Sequence, residues 1–319
     1  MVPTMKYAPL TQLVLLFAQL APAVTQSAET EVDRFEVQQQ ADRLKISYAG
    51  RNVGEYVFAD PTILRPYFAN MHAPGGLKVT RNHPPIENID ATDHGTMHPG
   101  IWLGFGDISG SDFWRNKGHV EHLSFIDAPA ASADRITFAT ESRLLTPDRI
   151  ELCRLVNRIT IAARPAGWLI VWDATFRSDD QDFTFGDQEE MGFGARMATR
   201  LNEQHGGLII NSDGIKTAAA TWGQPAAWCD YSGTDGQRLG GITLMAAPAN
   251  FRGSWWHNRD YGVFVANPFG RAAMKQGERS TVTVRRGQRF RIVFGALLHD
   301  DPAYDPAAAY QDFLQVGKT

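Results

Sequence analysis

The sequence predicts an all-β protein, a large antiparallel two-sheet β-sandwich with one short C-terminal helix. Composition points there first: 29 Gly, 17 Pro, 18 Phe, 8 Trp and 8 Tyr in 319 residues describe many short elements joined by tight turns. Strand-length apolar runs recur along the chain, and the connections between them carry hairpin chemistry, as at Asp213-Gly214, Asp235-Gly236 and Arg286-Gly287.

Taken in order, Phe35 to Val37, Leu44 to Tyr48 and Tyr56 to Phe58 form an antiparallel meander turned at Gly50 and Gly54. Further strands follow at residues 136–138, 150–161, 168–176, 183–185, 208–210, 242–245, 261–265, 282–284 and 290–298. Asp305 and Pro306 then supply an N-cap and a first-turn proline for a helix over Ala307 to Leu314, with Tyr310, Phe313 and Leu314 on one face. No phosphate-cradling glycine motif precedes a helix, which argues against a parallel nucleotide-binding sheet. No linker or composition break divides residues 24–319, so one domain is expected, and no propeller-length repeat is visible.

Residues 1–23 have the order of a secretory signal peptide: Lys6, an apolar run around Leu13 to Phe17, then Ala21-Pro22-Ala23. This predicts a periplasmic or secreted protein, with no transmembrane span once the signal is cleaved. The formal net charge is −4 with no basic block, which makes nucleic acid an unexpected partner. Export would permit a disulfide between Cys153 and Cys229, but both are equally read as small buried hydrophobes, and the sequence leaves the pairing open.

Side chains suited to chemistry concentrate between Arg65 and His122, which holds six of the nine histidines among Gly- and Pro-rich segments read as loops and strand ends. Asp93-His94-Gly95-Thr96-Met97-His98-Pro99-Gly100 is its sharpest segment; Gly95, Pro99 and Gly100 argue against a helix, so the four-residue histidine spacing loses its helical zinc-site meaning. Two further clusters are Trp222 to Tyr231 and Trp255 to Tyr261. Aromatic faces beside Asp, Asn, His and Arg suit a sugar, whose C–H faces stack while its hydroxyls hydrogen-bond. Trp256, His257 and Arg259 are read as site residues, Trp168 and Trp172 as core. Glu189 and Glu190 are adjacent and project to opposite faces of a strand; Glu190 is chosen as the functional acid, with Arg196 its expected partner.

These segments resemble a bacterial family of unknown function whose members are often labelled methane oxygenase PmoA-like. The resemblance runs through Arg65-Pro66-Tyr67, Val79-Thr80-Arg81, Asp93-His94 to Trp102, Asp112-Phe113-Trp114, Glu190 to Arg196, Trp228 to Gly233, and Trp255-Trp256-His257 to Gly270. It implies an exported protein akin to neighbours of polysaccharide-degradation machinery and a relationship to mutarotase-like and lyase β-sandwiches. Methane oxidation by a membrane subunit would need several spans of about twenty apolar residues, which the sequence lacks.

Three functions compete. The first is a carbohydrate hydrolase or lyase in which His98 or His257 moves a proton, Glu190 or Asp230 is the partner carboxylate, and Arg65, Arg81 or Arg259 holds the substrate. Tyr67, His94, Trp102, Trp228 and Trp256 complete its expected substrate contacts. The second is a non-catalytic sugar-binding protein. The third is a metal-dependent oxygenase or hydrolase built from two of His83, His94, His98, His119 and His122 with a carboxylate around a divalent metal.

Overall fold

Two eight-stranded antiparallel sheets face each other in the computed structural model, which describes residues 1–5, 8 and 33–316. The segment on which the signal-peptide expectation rests lies largely outside the described residues. The strands are β1 (Phe35–Gln39), β2 (Arg43–Tyr48), β3 (Arg51–Val57), β4 (Tyr67–Ala69), β5 (Ile101–Phe105) and β6 (His119–Ala131). They continue as β7 (Arg135–Leu145), β8 (Glu151–Arg164), β9 (Gly167–Arg177), β10 (Phe183–Phe185), β11 (Met191–Arg196) and β12 (Leu208–Asn211). The remainder are β13 (Trp228–Asp235), β14 (Arg238–Ala246), β15 (Trp255–Asn258), β16 (Val263–Asn267), β17 (Val282–Val284) and β18 (Arg289–His299).

The first sheet has the order β1-β2-β3-β4-β5-β11-β16-β15, the second β12-β13-β14-β18-β9-β8-β7-β6, and β10 pairs with β17 alone. Period-two alternation sends one set of side chains from each sheet into the space between them. Phe68, Ile101, Phe193 and Phe264 meet Ile159, Trp172, Leu244 and Phe294 there in one buried cluster. Its cross-sheet contacts include a Phe193–Phe294 stack at 5.4 Å between ring centroids and an edge contact of Phe68 with Trp172 at 5.7 Å.

A one-turn helix α1 (Ala218–Thr221) precedes β13, and the expected C-terminal helix is α2 (Pro306–Val316), with Asp305 Oδ1 accepting from the Ala307 N–H at 2.9 Å. α2 lays Ala309 and Phe313 on Leu169, Val171, Met245 and Leu297, outside the second sheet. The region read as loops between Arg65 and His122 contains β4, β5 and the start of β6. Its strands are short or fully buried, so no alternation with polar residues marks them. Cys153 and Cys229 are free and buried. Among the described residues no helix is long and apolar enough to cross a membrane.

Candidate functional site

The outer face of the first sheet carries a row of directly opposed residues, Tyr67, Trp102, Gly194, Val265 and His257, across β4, β5, β11, β16 and β15. Its two ends carry chemistry and its middle is a platform. The Trp102 indole lies over β11 where Gly194 has no side chain: a Cβ at Gly194 would stand 2.9 Å from Trp102 Cζ2. His98 stacks on Trp102 with centroids 5.2 Å apart and planes 12° apart, and Trp114 meets both edge-on. Trp102 is therefore fully buried and supports His98, where sequence reasoning made it a substrate contact.

Two buried arginines shape the loop that delivers His98. Arg81 donates to the carbonyls of Ala91, Asp93, His94 and His98 at 2.8, 2.7, 3.4 and 3.1 Å. Arg65 donates to the carbonyls of Trp114 and Met97 and to Asn116 Oδ1. Both are at most 2 % exposed, so they hold loops and are not open to a substrate. Arg196 pairs with Asp93 at 2.9 Å and lies over the Tyr261 ring at 4.5 Å. Asp93 also meets His94 Nδ1 at 2.7 Å. Burial lowers the His98 pKa well below the ordinary value, and Arg196, His94, Arg65 and Arg81 lower it further, so the imidazole is neutral at pH 7.

At the other end His257 Nδ1 lies 2.8 Å from Glu189 Oε1. The approach is off the axis of a hydrogen bond, leaving a close contact between the carboxylate and the ring that becomes an ion pair only when His257 is protonated. The same oxygen accepts from Trp222 Nε1 at 2.8 Å and from Arg259 Nη2 at 2.5 Å. Burial pushes the Glu189 carboxyl up, but His257, Trp222 and Arg259 together bring it down to about 2. Burial outweighs the neighbouring carboxylate at His257 and lowers its pKa, so it too is neutral at pH 7. Asn267 fixes the Glu189 segment by donating to the carbonyls of Gln188 and Glu189 at 2.8 and 3.0 Å. Tyr261 sits between the two ends, within the fields of Arg196, Arg259 and Asp93, and burial raises its hydroxyl pKa.

The structure brings His94, His98, His257 and Arg259 to one face and corrects four other expectations. Glu190 pairs with Arg115 and not Arg196; of the two adjacent acids it is Glu189 that meets a histidine. Both precede β11, where no strand alternation indicates which turns inward. Asp230 lies on the outer face of the second sheet, accepting from Thr243 Oγ1 at 2.7 Å, from Ser232 Oγ at 2.8 Å and facing His299 Nε2 at 2.9 Å. Trp228 shares that face beneath α2, because it has the same strand parity as Asp230. Trp256 is fully buried in the inter-sheet core, since its neighbour His257 takes the outer position.

Tyr67 stands at the far end of the row, its hydroxyl donating to Asp60 at 2.7 Å and lying 3.2 Å from His83 Nε2. His119 and His122 lie on β6 in the second sheet, with His119 Nδ1 accepting from Arg149 at 3.0 Å and His122 packed on Phe58. Among the described residues no three His, Cys, Asp or Glu side chains are arranged to share a metal ion, so the histidines proposed for one do not form a common ligand set. Sequence reasoning missed Glu189 and Tyr261 as functional residues, although both fall within segments it singled out.

Fold and site thus define a two-sheet β-sandwich bearing a histidine–carboxylate contact and a second neutral histidine on the outside of one sheet. The chain belongs to the family of unknown function DUF6807, whose model matches residues 43–313. No curated protein sequence matches it. Among solved structures it is similar to a galactose mutarotase-like protein from Lactobacillus casei, at 12% identity and a TM-score of 0.35, over 83% of this chain and 100% of that one. A putative aldose 1-epimerase from Escherichia coli gives 9% and 0.35 over 84% and 99%, and a GalM/aldose epimerase homologue from C. elegans 7% and 0.36 over 84% and 99%. At these TM-scores the likeness carries no argument about activity.

Proposed function

We propose that this chain is an exported carbohydrate-active enzyme of the lyase type, with its site on the outer face of the first sheet. The contact between His257 and Glu189 carries the reading. Glu189 stays ionised and is itself held by Trp222 and Arg259, so it can orient a neutral imidazole and stabilise the imidazolium that forms when His257 takes a proton. The proton comes from a carbon next to a carbonyl or carboxylate of the sugar. The C–H electrons become a C=C bond, the neighbouring C–O bond breaks, and the leaving oxygen takes the proton of Tyr261, which burial keeps protonated. Arg259 is the accessible cation for the charge that develops, with its side chain 33% exposed.

A hydrolase of the two-carboxylate kind fits less well, because it needs one carboxylic acid still protonated near neutral pH. Glu189 and Asp93 are both shifted the other way. Export rests on the N-terminal sequence alone.

The test is incubation of the purified protein with a panel of polysaccharides and oligosaccharides, following unsaturated product by ultraviolet absorbance and new reducing ends in parallel. Unsaturated product that falls by about 100-fold or more in His257→Ala is the expected result. Reducing ends without unsaturation would make the protein a hydrolase. Saccharide binding that His257→Ala leaves intact, with no product from any substrate, would make it a binding protein.

A further inference from the structure

We propose that the loop around His94 and His98 forms an anion subsite, and that the saccharide taken by this face is an acidic one whose carboxylate seats against these two imidazoles. This rests on the reading of the face as a sugar site.

Charge is the first observation. Arg65, Arg81 and Arg196 are each at most 2 % exposed, yet among the described residues Asp93 is the one carboxylate paired with any of them. Arg65 spends its guanidinium on three backbone carbonyls, of Phe113, Trp114 and Met97, and an amide oxygen, and Arg81 chiefly on four carbonyls. Burying three such cations against one acid costs stability unless another negative group arrives. Burial brings both Arg65 and Arg81 down to about 10, as expected for guanidinium groups lacking full compensation.

Hydrogen bonding is the second. Arg65 Nε, Arg81 Nε, Trp102 Nε1, Trp114 Nε1 and His98 Nδ1 are buried without a hydrogen-bond partner, and the first four can only donate. Arg65, Trp102 and Trp114 close tightly around Gly104, where a Cβ would lie 3.0 Å from Trp114 Cε3, 3.1 Å from Trp102 Cδ1 and 3.3 Å from Arg65 Nε, so these groups are a packed wall that acts on the subsite through charge and dipole and not by direct contact. A neutral sugar hydroxyl brings a donor with its acceptors, whereas a carboxylate brings acceptors alone. His94 gives the subsite its opening: its side chain is 43% exposed, and its ring lies 5.1 Å from that of His98.

The test uses the full chain with a short oligogalacturonate, its methyl-esterified form and inorganic sulfate. Calorimetry measures affinity, and NMR resolves the histidine side chains. The acid is expected to bind at least about tenfold more tightly than the ester, to lose that advantage as salt rises, and to shift His94 and His98. His94→Gln, at an exposed position, and His98→Gln should each erase most of the preference, with circular dichroism confirming that the variants fold. Acid and ester binding alike would overturn the proposal. So would acid-induced shifts confined to His257, or sulfate matching the acid's affinity, which would leave only an unspecific cationic patch. If His257→Gln abolishes turnover while acid and ester bind alike, the proton-transfer reading stands and the anion subsite falls. If the acid preference holds but no substrate is turned over, the subsite stands and the proton-transfer reading falls.

Discussion

The outer faces of the two sheets handle charge in opposite ways. On the second sheet Arg143, Arg154, Arg177 and Arg289 stand directly opposite one another across β7, β8, β9 and β18. Three of them meet nearby acids at the surface, Glu121, Glu151 and Asp179, and neighbouring Arg158 pairs with Asp127 where both side chains are more than half exposed. Such pairs contribute little to stability and keep a long sheet soluble. Around the loop on the first sheet's outer face Arg65, Arg81 and Arg196 are buried, linked to backbone carbonyls and to one aspartate, among tryptophans and histidines. Charge that water could have solvated for almost nothing has been placed where it is expensive. That contrast is the reason for proposing the site on the first sheet, although both faces read alike as charged and aromatic strands.

Substitutions should separate the two faces, the largest effects falling on the first. Trp102→Ala removes the support of His98 and leaves a cavity; a loss of about 3–5 kcal/mol in chemical denaturation is expected, together with a changed His98 NMR resonance. Gly194→Ala puts a methyl group 2.9 Å from Trp102 and 3.0 Å from Val265 Cγ2, and should cost about 1–3 kcal/mol while displacing the indole in a crystal structure of the variant.

Acidification should weaken the first face next. His98 and His257 have native pKa values below the value near 6.5 of an unfolded chain. Their contribution is complete above that pH and is lost as pH falls, because the unfolded chain takes up protons that the native state refuses. Glu189 and Asp93 add a second loss at lower pH, since their native values lie below those of the unfolded chain. Urea midpoints should therefore fall from pH 7 to pH 5.5, and less steeply in His98→Gln. Smallest of all, Arg158→Ala on the second face should change stability by no more than about 0.5 kcal/mol, and a large effect there would erase the distinction between the faces.

Sequence reasoning reached the architecture because hairpin turns and alternation are local signals. It placed Asp305 and Pro306 at the start of α2 for the same reason. It also singled out His98, His257 and Arg259, which lie on one face of the structure, because their residue types stand out within short segments. What it missed depends on parity and sheet order. Trp256 and His257 are adjacent, and only the pairing of β15 with β16 shows which one faces the core. Asp230 resembles an active-site acid until β13 is found in the opposite sheet. Glu189 and Glu190 are distinguished only by Trp222, Arg259 and Arg115, the nearest of them 33 residues away from Glu189 in sequence.

The most direct measurement is hydrogen–deuterium exchange of the whole protein with and without a bound acidic oligosaccharide. Protection concentrated in residues 91–98, 189–196 and 255–261 is the result expected of a site on the first sheet. Protection over β7, β8, β9 and β18, with those segments unchanged, would place the site on the other face and contradict the account.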